Sequence, residues 1–256
     1  MLQNFWLDTP WLKKKKNLNK KQNHNYFLRI FLLFACIFVI VFGVFYFFFQ
    51  KQHFVKVPIR WTIQLFSFQT WTTAKKLLNE EGCSAVGNAF YFDYDTERNF
   101  IPAWILVQDG VYISPWKEKF STDPNLQNTI FFDTEQGNFQ FFFDQQLQSV
   151  SDFKNWQIGF YSGPWIIKNG KVNEQLQQNI SHWSYPTQRT LLAQKWNQTF
   201  LLFYKERSSL WAIAETLQSY YDNVINLDGG PSTSFILKNG ESFNENKILP
   251  FFFCVK

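Results

Sequence analysis

The chain has 256 residues, 46% hydrophobic and 21% aromatic, enough apolar material for one sizeable core. Its net charge of +5 is unevenly held: residues 1–49 carry seven basic side chains (Lys13, Lys14, Lys15, Lys16, Lys20, Lys21, Arg29) against Asp8, which leaves 18 basic and 19 acidic residues for the rest. That near-neutral remainder excludes a basic face for nucleic acid. His24 and His53 flank the first apolar segment and leave His182 alone, so there is neither a zinc cluster nor a Ser-His-Asp triad.

Residues 1–25 read as a basic tail. The stretch YFLRIFLLFACIFVIVFGVFYFFF, 26–49, is apolar apart from Arg29. From Ile30 to Phe49 there are 20 residues, about the length a helix needs to cross a bilayer. Six lysines precede the run, whereas Lys51, Lys56 and Arg60 follow it. The positive-inside bias then sets the N-terminus in the cytoplasm and the remainder outside. The run is too long for a cleaved signal peptide, and no small-x-small cleavage site follows it. The expectation is a single-pass protein of the inner (cytoplasmic) membrane, with its C-terminal domain periplasmic or extracellular.

Residues 50–57 read as a short connector, and the pattern turns β-rich from Pro58. IRWTIQLF alternates apolar and polar residues as a half-buried strand does. WTTAKKLLNEEG predicts a helix stopped by Gly82. CSAVGNAFYFD reads as a buried strand that delivers Asn88 and Asp93 to its exit. Hairpins follow, with Asp109-Gly110, Gly137 and Asn169-Gly170 at their turns. RTLLAQKWNQTFLLFY is a further hairpin. Leu210, Ile213, Ala214, Leu217 and Tyr221 then fall at helical spacing, with Ser208 or Ser209 available as a cap. NVINLD, SFILKNG and ILPFFFCV return to strand. The fold class predicted is α+β: one mainly antiparallel, β-rich domain over 58–256 with a few helices and no internal repeat. Cys83 and Cys254 each end a predicted strand, and are either a disulfide or two small buried thiols.

The segment VINLDGGPSTSFILKNG, 224–240, carries the chemistry. It sets Asp228 at the carboxyl end of a buried strand, where a rigid scaffold meets an open loop. Gly229 and Gly230 let backbone amides approach a ligand closely, and Ser232, Thr233 and Ser234 add hydroxyls. Donors beside a carboxylate suit a phosphorylated sugar, the carboxylate serving as acid, base or ligand. The plainer reading is an Asp-Gly-Gly turn capped by its own side chain.

NLDGGPSTSFIL resembles the signature of the phosphodiester glycosidase family, and other pieces stand in the family's order. GNAFYFD (87–93) is similar to its early Asn-led strand, SGPWIIKNGKV (162–172) to its Gly-Gly-Pro strand and hairpin, QRTLLAQ (188–194) to its arginine-led strand, and KERSSLWAIAETL (205–217) to the start of its late helix. The likeness runs from 83 to 240. It implies hydrolysis of a sugar-1-phosphodiester, such as an N-acetylglucosamine-1-phosphodiester, in cell-envelope or extracellular glycans. The implied substrate-binding residues are Asn88, Gly163, Arg189, Gly229, Gly230, Ser232 and Ser234. Asp228 is the implied essential carboxylate, with Glu206 or Asp93 as the second carboxyl that glycoside cleavage ordinarily uses. Arg189 has a planar fork suited to a phosphodiester. Phe90 and Pro231 depart from the family's glycines at those positions, which narrows the expected site and leaves a non-catalytic, phosphoglycan-binding envelope protein as the alternative. No cofactor or metal requirement is legible.

Overall fold

The computed structural model describes residues 54–59, 63–103, 106–113, 128–133, 138–142, 157–178 and 181–256, together with Ala35 and Phe38. The apolar run expected to span a membrane lies, those two residues apart, outside the described residues. Among the described residues no helix is long and apolar enough to cross a membrane.

In chain order the elements are β1 (Phe54–Ile59), β2 (Ile63–Thr73), helix α1 (Ala74–Glu81), β3 (Ala85–Asn88), β4 (Phe92–Tyr94), β5 (Phe100–Pro102), β6 (Leu106–Gln108), β7 (Val111–Tyr112), β8 (Asn128–Asp133), β9 (Asn138–Phe142), β10 (Ile158–Ser162), β11 (Trp165–Lys168) and β12 (Lys171–Val172). There follow the short helix α2 (Ser181–Ser184), β13 (Thr187–Lys195), β14 (Gln198–Ser208), helix α3 (Leu210–Leu217), β15 (Asn223–Asn226), β16 (Phe235–Leu237), β17 (Ser242–Phe243) and β18 (Ile248–Val255). The expected α+β class holds, and every strand pairing among the described residues is antiparallel. The connector expected at 50–57 is a correction: residues 54–57 begin β1, because Val55 and Val57 bury one face against β14.

Local chemistry sets the element ends. Thr73 caps α1 by accepting from the Lys76 amide at 3.2 Å, and Gly82 ends it in the left-handed region at φ 66°. Ser209 caps α3 in the same way at 3.2 Å. Asp109-Gly110 and Asn169-Gly170 both have positive φ at both turn residues, as a tight hairpin of the primed type requires. Tyr221 falls outside α3, which ends at Leu217, yet is buried all the same.

Three sheets make the body. The six-stranded one runs β1-β14-β13-β15-β11-β12, and two five-stranded ones run β7-β6-β10-β8-β9 and β17-β16-β3-β18-β2. One face of the six-stranded sheet carries Leu191, Ala193, Leu202, Tyr204 and Val224 against α3 and Trp183 of α2. Its other face sends Leu192, Leu201, Phe203 and Ile225 into a core shared with the five-stranded sheets, where Phe90, Phe139, Phe160 and Phe253 pack together. Gly87 of β3 crosses directly beneath Phe203, and a Cβ there would sit 2.2 Å from the ring tip. Helix α1 closes the outer face of the β3 sheet, beside a disulfide joining Cys83 to Cys254. The pairing left open by the sequence is therefore made, and it closes a loop of 171 residues.

Two outcomes follow. Gly87→Ala drives a methyl into Phe203 and lowers unfolding free energy by about 1–3 kcal/mol, read by urea denaturation. Reducing the disulfide lowers it by about 2–5 kcal/mol, read in the same assay with and without a thiol reductant.

Candidate active site

Strand alternation brings the site together. Asn226 pairs with Leu191, and the Leu227 amide donates to the Thr190 carbonyl at 2.9 Å. Continued by one residue, that register sets Asp228 opposite Arg189. Residues two apart on a strand share a face, so Asn226, Asp228 and Arg189 all lie at the end of the helix-covered face, just past its apolar cluster. Gly229 lies against Arg189, and a Cβ on it would come within 3.3 Å of the arginine Cδ and 3.1 Å of the Gln188 carbonyl. The backbone crosses here at a distance that only glycine fits without displacement.

Asn88 fixes this strand end from below. Its side-chain amide donates to the Asp228 carbonyl at 2.8 Å. Its oxygen accepts from the Thr190 hydroxyl at 2.6 Å and the Ser234 amide at 3.1 Å. Asn88 is buried and bonded through both its nitrogen and its oxygen, so it acts as a staple beneath the site. Ser234 is likewise buried, its hydroxyl donating to the Asn244 carbonyl at 2.9 Å.

Three polar groups stand beside Asp228 and Arg189 that sequence reasoning did not nominate. The Tyr91 hydroxyl donates to the Gly163 carbonyl at 3.0 Å, and the Asn226 side-chain amide donates to that same carbonyl at 3.2 Å and to the Tyr91 hydroxyl. Gly163 thus supplies a carbonyl, at a cis bond to Pro164. Lys247 is the third, close enough for its charge to act on Asp228. A signal for Asn226 existed: it is a polar residue between apolar Val224-Ile225 and Leu227, two before the carboxylate. Tyr91 and Lys247 had none, because their proximity is tertiary.

The electrostatics are set by burial. Asp228, half-buried, is pushed up to about 6 by burial, against the Ser232 hydroxyl, the Gly229 amide at 2.8 Å and the charges of Lys247 and Arg189, which favour its ionised form. Burial holds Arg189 below its usual value, while the negative charges of Asp228 and an ionised Tyr91 would favour its cation. Tyr91 is driven well above the phenol range, first by burial and then by the Asp228 charge, and so stays a neutral hydroxyl.

The remaining expected site residues separate into groups. Gly229, Gly230 and Ser232 are at the site, but their amides are partly engaged: Gly229 N–H binds its own Asp228 carboxylate, and Ser232 N–H binds the Gly229 carbonyl at 3.1 Å in a single 3₁₀ turn over Gly230–Ser232. Pro231 sits exposed in the first part of that turn, where its missing N–H is no loss. The narrowing expected from Phe90 is corrected: its ring points into the inter-sheet core, 5.1 Å from Phe160 and 4.8 Å from Phe251 between centroids. Asp93 and Glu206 are both exposed, on β4 and β14. Asp93 accepts from the next backbone amide, that of Tyr94, at 2.8 Å, and the charge of Glu206 bears on Tyr204. Burial, Ser232, Gly229, Lys247 and Arg189 are the influences that set the Asp228 value. Among the described residues no group of three or more His, Cys, Asp or Glu is gathered to hold a metal ion. A cavity of about 400 Å³ lies elsewhere, lined by Gln64, Phe66, Gln108, Asp109 and Gln157 among others, and shares no residue with this cluster.

Comparison with known proteins agrees with the motif. The phosphodiester glycosidase family model matches residues 81–250. The chain belongs to that family. Among solved structures it is similar to the catalytic domain of zebrafish N-acetylglucosamine-1-phosphodiester alpha-N-acetylglucosaminidase, auto-inhibited by its pro-peptide, with a TM-score of 0.56, 15% identity, and 76% of this chain and 72% of that one covered. It is also similar to a hypothetical protein from Synechocystis, with a TM-score of 0.50, 12% identity, and 78% and 58% covered. These likenesses bear on the fold. No curated protein sequence matches.

The raised Asp228 value has a sign for stability. The folded state favours the protonated form, so this contribution is complete below the unfolded value of 3.8 and is lost as pH rises through about 6. Asp228→Asn removes the buried charge. The variant is expected to exceed wild type by on the order of 1–3 kcal/mol at pH 8, with the gap closing below pH ~4, as measured by urea denaturation across pH.

Proposed function

We propose that this protein is a membrane-anchored hydrolase that cleaves the glycosidic bond of a sugar-1-phosphodiester, with Asp228 as its reacting carboxylate and Arg189 as its phosphate ligand. The observation that carries the reading is that the turn after Asp228 packs against Arg189, which brings a half-buried carboxylate near a buried guanidinium. Membership of the phosphodiester glycosidase family supports the reaction class. The apolar run 26–49 and its preceding lysines support the anchor.

This chemistry does not require a second carboxyl beside Asp228. An ordinary glycoside needs a general acid because its leaving alkoxide is strongly basic. A phosphate monoester leaving group has a second ionisation near pH ~6, so it departs as an anion without a proton donor. What it needs is charge neutralisation, which a bidentate arginine supplies. Asp228 then acts in its ionised form, either as base toward water or as nucleophile at the anomeric carbon. Tyr91 remains a neutral hydroxyl beside it, with Asn226 and Gly163 fixing its position.

The sign of the pH dependence separates this use from general-acid catalysis. A carboxylate that must be ionised gives kcat/KM rising with pH and levelling above about 6. A required acid would give the opposite slope. The test is hydrolysis of a chromogenic N-acetylglucosamine-1-phosphodiester by the full chain in detergent. Asp228→Asn and Arg189→Ala are expected to lose roughly 10³-fold and 10²-fold or more in kcat/KM. Glu206→Gln and Asp93→Asn are expected to stay within a few-fold of wild type. Equal losses at either of these two would restore a two-carboxylate mechanism. Wild-type turnover by Asp228→Asn would remove the proposal and leave ligand binding without cleavage as the function to measure.

A further inference from the structure

The chain enters this domain at the site end of the six-stranded sheet. Phe54 opens β1 and pairs with Tyr204 of β14, and Tyr204 pairs in turn with Arg189 of β13. Extended through the register of β15, the row reads Phe54, Tyr204, Arg189, Asp228. All four positions share the helix-covered face, and the Phe54 and Tyr204 rings stack with centroids 6.1 Å apart. Adjacent strands lie about 4.8 Å apart, so Arg189 is roughly 10 Å and Asp228 roughly 15 Å from the point of entry. The other end of β1 points away, since Ile59 pairs with Thr199 beside the Trp196-Asn197 turn.

Only Gln50, Lys51, Gln52 and His53 separate Phe54 from the end of the apolar run at Phe49. Five Cα steps span at most about 18 Å, and that is the whole tether if residues 26–49 are the membrane anchor, the reading on which this inference rests. One exposed aromatic stands at the site: Tyr185 is 65% exposed, and its carbonyl accepts from Arg189 at 3.1 Å. Tyrosine suits the boundary between water and lipid, with an apolar ring and a wet hydroxyl.

A short tether on the site's own side restricts access to soluble polymers and favours a substrate held in the same membrane. We infer that the substrate is lipid-borne: a glycosyl-1-phosphodiester whose second ester oxygen carries a long alkyl chain embedded in the bilayer. Arg189 binds its phosphate, and the oxygen of one water bonds to the anomeric carbon. The bond from that carbon to the phosphate oxygen breaks, and its electron pair leaves on the phosphate. The proton given up by the water passes through Asp228 to the departing phosphate or to solvent. The products are one free sugar and one lipid monophosphate, with no change in oxidation state.

The test uses the full chain reconstituted in phosphatidylcholine vesicles, with two probes of one sugar: N-acetylglucosamine-1-phosphate esterified to hexadecanol within the same vesicles, and its water-soluble methyl ester. The expected result is at least 10-fold higher kcat/KM for the lipid-borne probe, falling as that probe is diluted with inert lipid. A helical spacer of about 30 residues inserted between Gln52 and His53 lifts the domain by roughly 45 Å. It is expected to abolish the lipid-borne advantage while turnover of the methyl ester is unchanged. Turnover of the methyl ester with no preference for the lipid-borne probe, or a preference that survives the spacer, overturns the inference and leaves the glycosidase reading standing. Turnover of neither probe removes both.

Discussion

The side chain of Asn88 holds together what the site requires. One buried amide ties the Asp228 carbonyl, the Thr190 hydroxyl and the Ser234 amide, joining β3 of one sheet to β13 of another and to the chain on both sides of the Gly229-Gly230 turn. Each of these groups would otherwise be buried without a partner, which costs about 1–3 kcal/mol apiece. The network therefore makes the position of the strand end cooperative with packing of the two sheets. Asp228 inherits a fixed place from this buried network.

That fixed place is electrostatically uncomfortable. Burial raises Asp228 and depresses Arg189, the two shifts being opposite in direction and alike in cause. Each group's charge partly relieves the other, and burial remains the larger effect on both. The Asn226 oxygen adds to this: it is buried and has no hydrogen-bond partner among the described residues. Sites of reaction often retain such strain, because groups arranged for a substrate are not arranged for stability.

Much of this was legible in the sequence where local chemistry decides structure. Thr73 and Gly82 bound a helix by capping, Ser209 starts another, and Asp109-Gly110 and Asn169-Gly170 turn hairpins through positive φ. Asp228 and Arg189 were legible as motif residues, and strand alternation explains why they meet. The rest depends on long-range geometry. Val55 and Val57 mark β1 only once β14 is known to cover them. Phe90 reads as a site residue by position and is core by direction, since its ring turns toward Phe160. Tyr91 stands 135 residues from Asn226 in sequence, and no local pattern announces their contact.

The most direct test of this account is the titration of Asp228 itself, by NMR of carboxyl-labelled aspartate in wild type and in Arg189→Ala. The account predicts one aspartate titrating near 6 in wild type and moving upward when the guanidinium is removed. A midpoint near the ordinary aspartate value, unmoved by loss of Arg189, would contradict the shared, partly buried site from which the proposed chemistry follows.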